Sequence, residues 1–353
     1  MTQYIRKAIQ QMTGYVPGEQ PKKPGVVKLN TNENPYPPSP RVQAALERMQ
    51  AECLQLYPDP LCSRLREALA KLHGCKPAAV FVGNGSDEIL ALCTRAFVED
   101  NGRIGYFVPS YSLYPVLAAI RGVAQNPVEL GPDFEWRMPS SSACSLFFLT
   151  NPNAPTGILY PRRLVRAFCE RFRGVVVLDE AYADFARENC MELALKRKNV
   201  LVVRSLSKSY SLAGLRVGYA VGDPRLIEAL FKVKDSYNVD AISQTLALAA
   251  VSDQEHMAAN VRRIRATRRR LSRGLQAMGY VVYPSDTNFV WVKPPSIPAR
   301  VVFEKLRRVD ILVRYFPGPR TGDYLRITVG TDAATDALLF ALKALHGEKG
   351  RRA

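Results

Sequence analysis

The chain is poor in the residues from which most hydrolytic and metal-dependent sites are built. Only three of its 353 residues are histidine (His73, His256 and His346), and none lies in an HExxH pattern or beside a plausible co-ligand. Zinc hydrolysis and histidine-activated nucleophiles are therefore disfavoured. Seven cysteines (Cys53, Cys62, Cys75, Cys93, Cys144, Cys169 and Cys190) are odd in number and never spaced as CxxC. That pattern fits buried, reduced thiols and argues against a disulfide framework or a zinc cluster. No GxxxxGK[ST] phosphate loop occurs anywhere, so nucleotide hydrolysis lacks its usual cradle. No apolar run approaches the roughly 20 residues that span a bilayer, and residues 1–14 carry no apolar secretory core. The expectation is a cytoplasmic protein with no membrane partner and no metal.

Positive charge, by contrast, is abundant. Lys and Arg total 49 against 32 Asp and Glu, a net charge of +17, and such an excess invites a nucleic-acid partner. Its densest part is Arg262, Arg263, Arg265, Arg268, Arg269, Arg270 and Arg273, interleaved with Val261, Ile264, Leu271 and Leu275. The apolar set recurs on one helical face, which predicts an amphipathic helix with a solvated arginine surface and no nucleic acid bound. A positive field also suits a phosphorylated small-molecule substrate.

The length suits one large domain with a smaller companion, and 47% hydrophobic with 23% charged residues is an ordinary globular composition. Short β-rich runs at 80–82, 104–108, 146–149, 175–178, 200–204 and 217–221 alternate with helical segments at 87–98, 114–119 and 162–171. Several of these runs are apolar throughout, as in a sheet covered on both faces. That order predicts an α/β domain with a mostly parallel central sheet flanked by helices. Beyond the arginine-rich helix, strands at 280–283, 288–292, 311–314 and 325–329 and helices at 299–308 and 333–345 predict a smaller α+β domain. The expected division is an N-terminal arm over 1–29, a large domain over 30–250 and a small one over 251–353.

Ligands of open parallel sheets gather at the carboxyl ends of strands, so the residues just past each strand carry the chemistry. After 80–82 comes Gly83-Asn84-Gly85-Ser86-Asp87-Glu88, a turn into a helix whose free N–H groups favour an anion. Alone it is weak, since capped glycine turns are common. After 175–178 comes Asp179-Glu180-Ala181-Tyr182. An aspartate there is usually a turn residue, but it could keep a pyridine nitrogen protonated. After 200–204 comes Ser205-Leu206-Ser207-Lys208, then Arg216. A lysine beside a cationic cofactor can lose its proton and attack an aldehyde, and a hydroxyl with a guanidinium suits a phosphate. In isolation Lys208 reads as a loop lysine.

The motifs together resemble a known family. SLSKSYSLAGLRVG from Ser205 resembles the lysine segment of fold-type-I pyridoxal-phosphate (PLP) aminotransferases, and Asn151-Pro152-Asn153-Ala154-Pro155-Thr156-Gly157 resembles their NPxxPTG turn. Leu29-Asn30-Thr31-Asn32-Glu33-Asn34-Pro35, Tyr57-Pro58-Asp59, the 83–88 turn, Asp179–Tyr182 and Leu325-Arg326-Ile327-Thr328-Val329-Gly330 resemble the histidinol-phosphate aminotransferase branch, in family order.

The resemblance implies a PLP-transferase fold type I with Lys208 holding PLP as a Schiff base and moving the proton at the substrate α-carbon. It implies Asp179 on the pyridine nitrogen, Tyr182 on the ring oxygen and Tyr111 stacked on the ring. Ser86, Asp87, Ser205, Ser207 and Arg216 would hold the cofactor phosphate. Tyr57 would reach the cofactor of the other subunit of a homodimer. On the substrate side it implies Arg326 for a carboxylate, Arg314 for a phosphate, and Tyr15 and Asn32 at the pocket. One departure stands out: where many relatives carry asparagine before PTG, this chain has Ala154, and Asn153 is the expected substitute. The implied activity is ping-pong transamination between glutamate and imidazole-acetol phosphate in histidine biosynthesis. An aromatic aminotransferase, an L-threonine-phosphate decarboxylase and a non-catalytic nucleic-acid-binding regulator are the alternatives.

Overall fold

A computed structural model of the chain describes residues 4–138 and 144–347; residues 1–3 of the expected arm and 348–353 of the expected small domain lie outside it. A seven-stranded sheet runs through the larger part. In spatial order its strands are Val80–Gly83, Gly218–Gly222, Val200–Ser205, Val175–Asp179, Leu146–Thr150, Arg103–Val108 and Ala124–Glu129. Pairing is parallel from Val200–Ser205 to Ala124–Glu129, and Gly218–Gly222 alone runs against its neighbours. Strands covered by helices on both faces are apolar, and Leu146–Thr150, Val200–Ser205 and even the edge strand Val80–Gly83 are wholly buried. Ala124–Glu129 escaped the sequence pattern: it is a sheet edge, half exposed, and contains Pro127, which only an edge tolerates.

Two hydrophobic layers fill the faces of this sheet, one around Phe147, Leu149 and Val202 and the other around Phe81, Phe148 and Val203. A third core sits under a four-stranded antiparallel sheet of Arg314–Tyr315, Leu325–Thr328, Phe289–Lys293 and Val281–Val282. The run expected as one strand over 311–314 is divided. Ile311–Leu312 leaves the sheet to pair in parallel with Val27–Lys28, while Arg314–Tyr315 stays in it. The N-terminal segment is tied down there, with Glu19 on Arg307 at 2.9 and 3.0 Å and Lys23 on Asp310 at 2.6 Å.

The arginine-rich stretch is the helix Gln254–Ala277, with Val261, Ile264, Leu271 and Leu275 buried as expected. Its arginine face is not wholly solvated. Arg268 is buried and donates to the Thr287 carbonyl, Arg270 pairs with Asp332 and Asp336, and Arg263 lies 3.7 Å from the Tyr36 ring centre. Long arginine stems let the apolar part pack while the guanidinium reaches a partner. All seven cysteines are free thiols; five are buried, but Cys53 is exposed. Among the described residues no helix is long and apolar enough to cross a membrane, and no cluster of three or more His, Cys, Asp or Glu side chains could hold a metal.

Leu149 is fully buried in the middle of the sheet. Leu149→Ala is expected to destabilise the protein by about 2–5 kcal/mol in urea unfolding; a loss below about 1 kcal/mol would contradict this packing.

Candidate active site

Every strand of the large sheet that runs in the common direction ends at one edge, and Gly218–Gly222, running the other way, begins there. A cavity of about 550 Å³ opens at that edge. Its wall takes Ser86 and Asp87 from the turn after Gly83, Tyr111 from the turn after Val108, and Thr150, Asp179, Ser205, Ser207 and Lys208 from the next three strand ends. Arg216 arrives just before the reversed strand, and Tyr182, Arg314 and Arg326 close the cavity from the side of the smaller sheet. Tyr15 and Asn32 from the N-terminal segment complete it.

At the floor, Tyr114 donates to one Asp179 oxygen at 2.8 Å, and the Ala181 amide donates to the other at 3.2 Å. Burial holds the Asp179 carboxyl up at about 6 against those two bonds. Lys208 is partly buried. Burial, reinforced by the Arg326 charge, pulls its amine down to about 8. The amine donates to the Thr31 carbonyl at 3.3 Å and lies 5.9 Å from the Tyr182 ring centre. Asn34 secures the lysine turn by donating to the Lys208 and Ser209 carbonyls at 3.0 and 3.2 Å.

Anion-binding groups flank this pair on both sides. On one side the helix Gly85–Phe97 has Ser86 and Asp87 in its first turn, while Arg216 bonds Ser207 Oγ at 3.3 Å and faces Asp87 at 3.5 Å. Two glycines permit that approach. A Cβ on Gly85 would lie 2.7 Å from the Arg216 guanidinium, and one on Gly218 would lie 2.5 Å from the Ser86 amide. On the other side, Arg326 is half-buried, with its Nε buried and lacking a partner among the described residues and one terminal nitrogen on the Asn30 carbonyl at 3.0 Å. Arg314 donates to the carbonyls of Val16 and Pro17 at 2.8 and 3.0 Å.

Two expected residues stand elsewhere. The Asn153 amide is buried and donates to the Pro109 carbonyl of the neighbouring strand end at 3.1 Å and to Thr156 Oγ1 of its own turn at 2.9 Å, and Asn153 does not line the cavity. The amide that faces the Tyr182 hydroxyl, at 2.9 Å, belongs to Asn32. Asn32 holds a left-handed backbone (φ 56°), fixed by Thr328 Oγ1 and by the Asn288 amide; asparagine tolerates that conformation. Tyr57 is 81% exposed, stacked on Tyr237 at 4.4 Å, and outside the cavity of its own chain. Tyr114 and Asn34 were missed by sequence reasoning. Tyr114 lies on a helix rather than at a strand end, and Asn34 acts on main-chain atoms.

The family described as aminotransferase class I and II matches residues 24–342. The chain belongs to that family. It is 44% identical to histidinol-phosphate aminotransferase 1 of Nostoc sp., over 98% of this chain and 99% of that one. It is 46% identical to the histidinol-phosphate aminotransferase of Aromatoleum aromaticum, over 97% and 99%. Among solved structures it resembles histidinol-phosphate aminotransferase from Sinorhizobium meliloti in complex with pyridoxal-5'-phosphate, with a TM-score of 0.86, 25% identity and coverage of 98% and 99%. The fold is therefore the fold type I architecture of this aminotransferase family, with the mixed, mostly parallel sheet described above.

The depressed Lys208 amine has a consequence for stability in ligand-free protein. Between pH 10.5 and about 8 the unfolded chain takes up a proton at this residue while the folded protein does not. Folding is therefore weakened as pH falls through that window. Lys208→Met is expected to gain up to about 3 kcal/mol relative to the parent between pH 10.5 and 8, and nothing further below. Urea midpoints across that range test it, and a pH-independent difference would show the amine to be unshifted.

Proposed function

We propose that the chain is a PLP-dependent histidinol-phosphate aminotransferase, moving an amino group between L-glutamate and imidazole-acetol phosphate to give 2-oxoglutarate and L-histidinol phosphate. The observation that carries this reading is a single cavity holding the partly buried Lys208 amine and the buried Asp179 carboxylate, with guanidiniums on both sides. Relatives of that name at 44–46% identity over nearly the whole chain point the same way.

The residues fit the cofactor. Ser86 in the first turn of its helix, together with Ser205, Ser207 and Arg216, forms a cradle for a phosphate, and Gly85 and Gly218 keep it open to the backbone. On this reading Asp179 would meet a ring nitrogen and Tyr182 a ring oxygen, while Tyr111, held by its hydroxyl on Asp87 at 3.1 Å, would offer a ring to stack on. When bound, pyridoxal phosphate supplies an aldehyde and a protonated ring that accepts the electron pair left at the substrate α-carbon.

The protein's own work is to bind, orient and move one proton. Lys208, partly deprotonated near neutral pH, serves as nucleophile and then carries the proton to and from the α-carbon. With the cofactor bound, Asp179 would have a cationic partner, which favours its ionised form. Arg326, with its unpartnered buried Nε, takes the amino-donor carboxylate, and Arg314 takes the substrate phosphate. Asn32 orients the Tyr182 hydroxyl in place of the asparagine that Ala154 replaces. The same reading divides the chain into an arm (1–29), a cofactor domain (30–250) and a small domain (251–353). It also pairs two chains so that the exposed Tyr57 enters the partner's site.

Lys208→Ala is expected to remove the visible absorbance of the cofactor-loaded protein and to lower turnover by about a thousandfold or more. Near-parental turnover in this variant would refute the assignment. Substrate choice is read by assaying glutamate with imidazole-acetol phosphate beside aromatic oxo acids and threonine phosphate. Preferential turnover of either alternative would reassign the branch. Sedimentation equilibrium at the mass of one chain under assay conditions would remove the shared site.

A further inference from the structure

Arg314 and Arg326 are register partners on neighbouring antiparallel strands. Like charges directly opposite each other across a ladder are destabilising. Yet neither guanidinium has an ion-pair partner among the described residues, and their hydrogen bonds go only to the neutral carbonyls of Val16, Pro17 and Asn30. Phe316 follows Arg314 by two positions and so emerges on the same side of the extended chain. Its ring centre lies 5.2 Å from the guanidinium carbon of Arg314 and 5.2 Å from that of Arg326. The ring packs on Trp291 at 6.1 Å, and Trp291 is fully buried and stacked on Tyr324 at 5.1 Å. All three side chains, Arg314, Phe316 and Arg326, face the cavity.

We propose that Phe316 is a specificity-determining positioning residue, whose ring holds two facing guanidiniums charged and directed into one cavity, so that the site accepts both a dicarboxylate donor and a phosphate-bearing acceptor. This rests on the anion-binding roles given above to Arg314 and Arg326. The chemical advantage of a ring over a carboxylate lies in what it leaves free. A carboxylate would offset the repulsion but occupy the donors that a substrate needs. An aromatic face attracts a cation through its quadrupole and takes none of its in-plane N–H groups. The anchored Trp291 and Tyr324 keep the ring from turning aside.

The test uses cofactor-loaded enzyme with Phe316→Leu, Phe316→Tyr and Arg314→Gln, reading inorganic phosphate dissociation, KM for glutamate, kcat, cofactor absorbance and thermal midpoint. Phe316→Leu keeps apolar bulk without the quadrupole. It should raise the phosphate dissociation constant and the glutamate KM by about tenfold each, as expected for a lost cation–π contact, with kcat, absorbance and midpoint unchanged. Phe316→Tyr should restore both constants. Unchanged constants in Phe316→Leu, or a lowered midpoint that Phe316→Tyr fails to rescue, would overturn the proposal. Weaker phosphate binding in Arg314→Gln but not in Phe316→Leu would defeat the role of Phe316 alone. Unaltered phosphate binding in Arg314→Gln would defeat it together with the Arg314 assignment.

Discussion

Asp179 ends its strand with almost no water-facing surface, and a tyrosine hydroxyl with one backbone amide is all that bonds its carboxylate. Three residues past the end of the adjacent strand, Lys208 is partly buried, and that burial lowers the proton affinity of its amine. Two ionisable groups kept from solvent in one cavity are costly unless something shares their charge. That cost lowers the proton affinity of the amine, as its proposed role as nucleophile requires, and raises that of the carboxyl until a cationic partner stands beside it. The sheet order that puts the two strands side by side, the covering helices and the N-terminal segment over the cavity all maintain this dryness.

A second charged layer lies directly behind the first. Glu180, next in sequence to Asp179, turns to the opposite side and takes Arg204 through two nitrogens at 2.8 and 3.1 Å. Asp184 accepts from Arg204 at 3.2 Å and from the Ser209 hydroxyl at 2.5 Å, tying the residue after Lys208 into the same group. Burial alone would lower the Arg204 charge, but the carboxylates more than reverse that. Such networks contribute little net stability, because desolvation consumes most of the attraction. Their value here is geometric, since they fix the two strand ends relative to each other.

Much of this was legible in the amino-acid order because strands buried on both faces are apolar throughout and ligand residues follow their carboxyl ends. Asp179, Lys208 and the Gly83–Glu88 turn were all found that way. Arg216 obeys a different logic: it precedes a strand and reaches the edge only because Gly218–Gly222 is reversed, a fact of topology that no local pattern carries. Tyr114 supports Asp179 from a helix and looks like any other core aromatic. Asn153 and Asn32 show the limit of position-by-position transfer. A neighbouring amide seemed the natural replacement at Ala154, but Asn153 donates to the Pro109 carbonyl and to Thr156 Oγ1, and the amide near Tyr182 comes from more than a hundred residues away in the chain.

The N-terminal segment bonds to the arginines around the cavity mostly through its main chain: the carbonyls of Val16, Pro17 and Asn30 accept from Arg314 and Arg326, and that of Glu19 accepts from the Asn30 side chain. Peptide carbonyls are the same whatever side chain they carry. The contacts of Val16 and Pro17 with Arg314 therefore place no demand on which side chains stand at those two positions, whereas Gly18 is constrained because a Cβ there would lie 2.4 Å from Thr31. An inserted or deleted residue is a different matter, because it would shift the paired carbonyls of Val16 and Pro17 away from the one guanidinium they share.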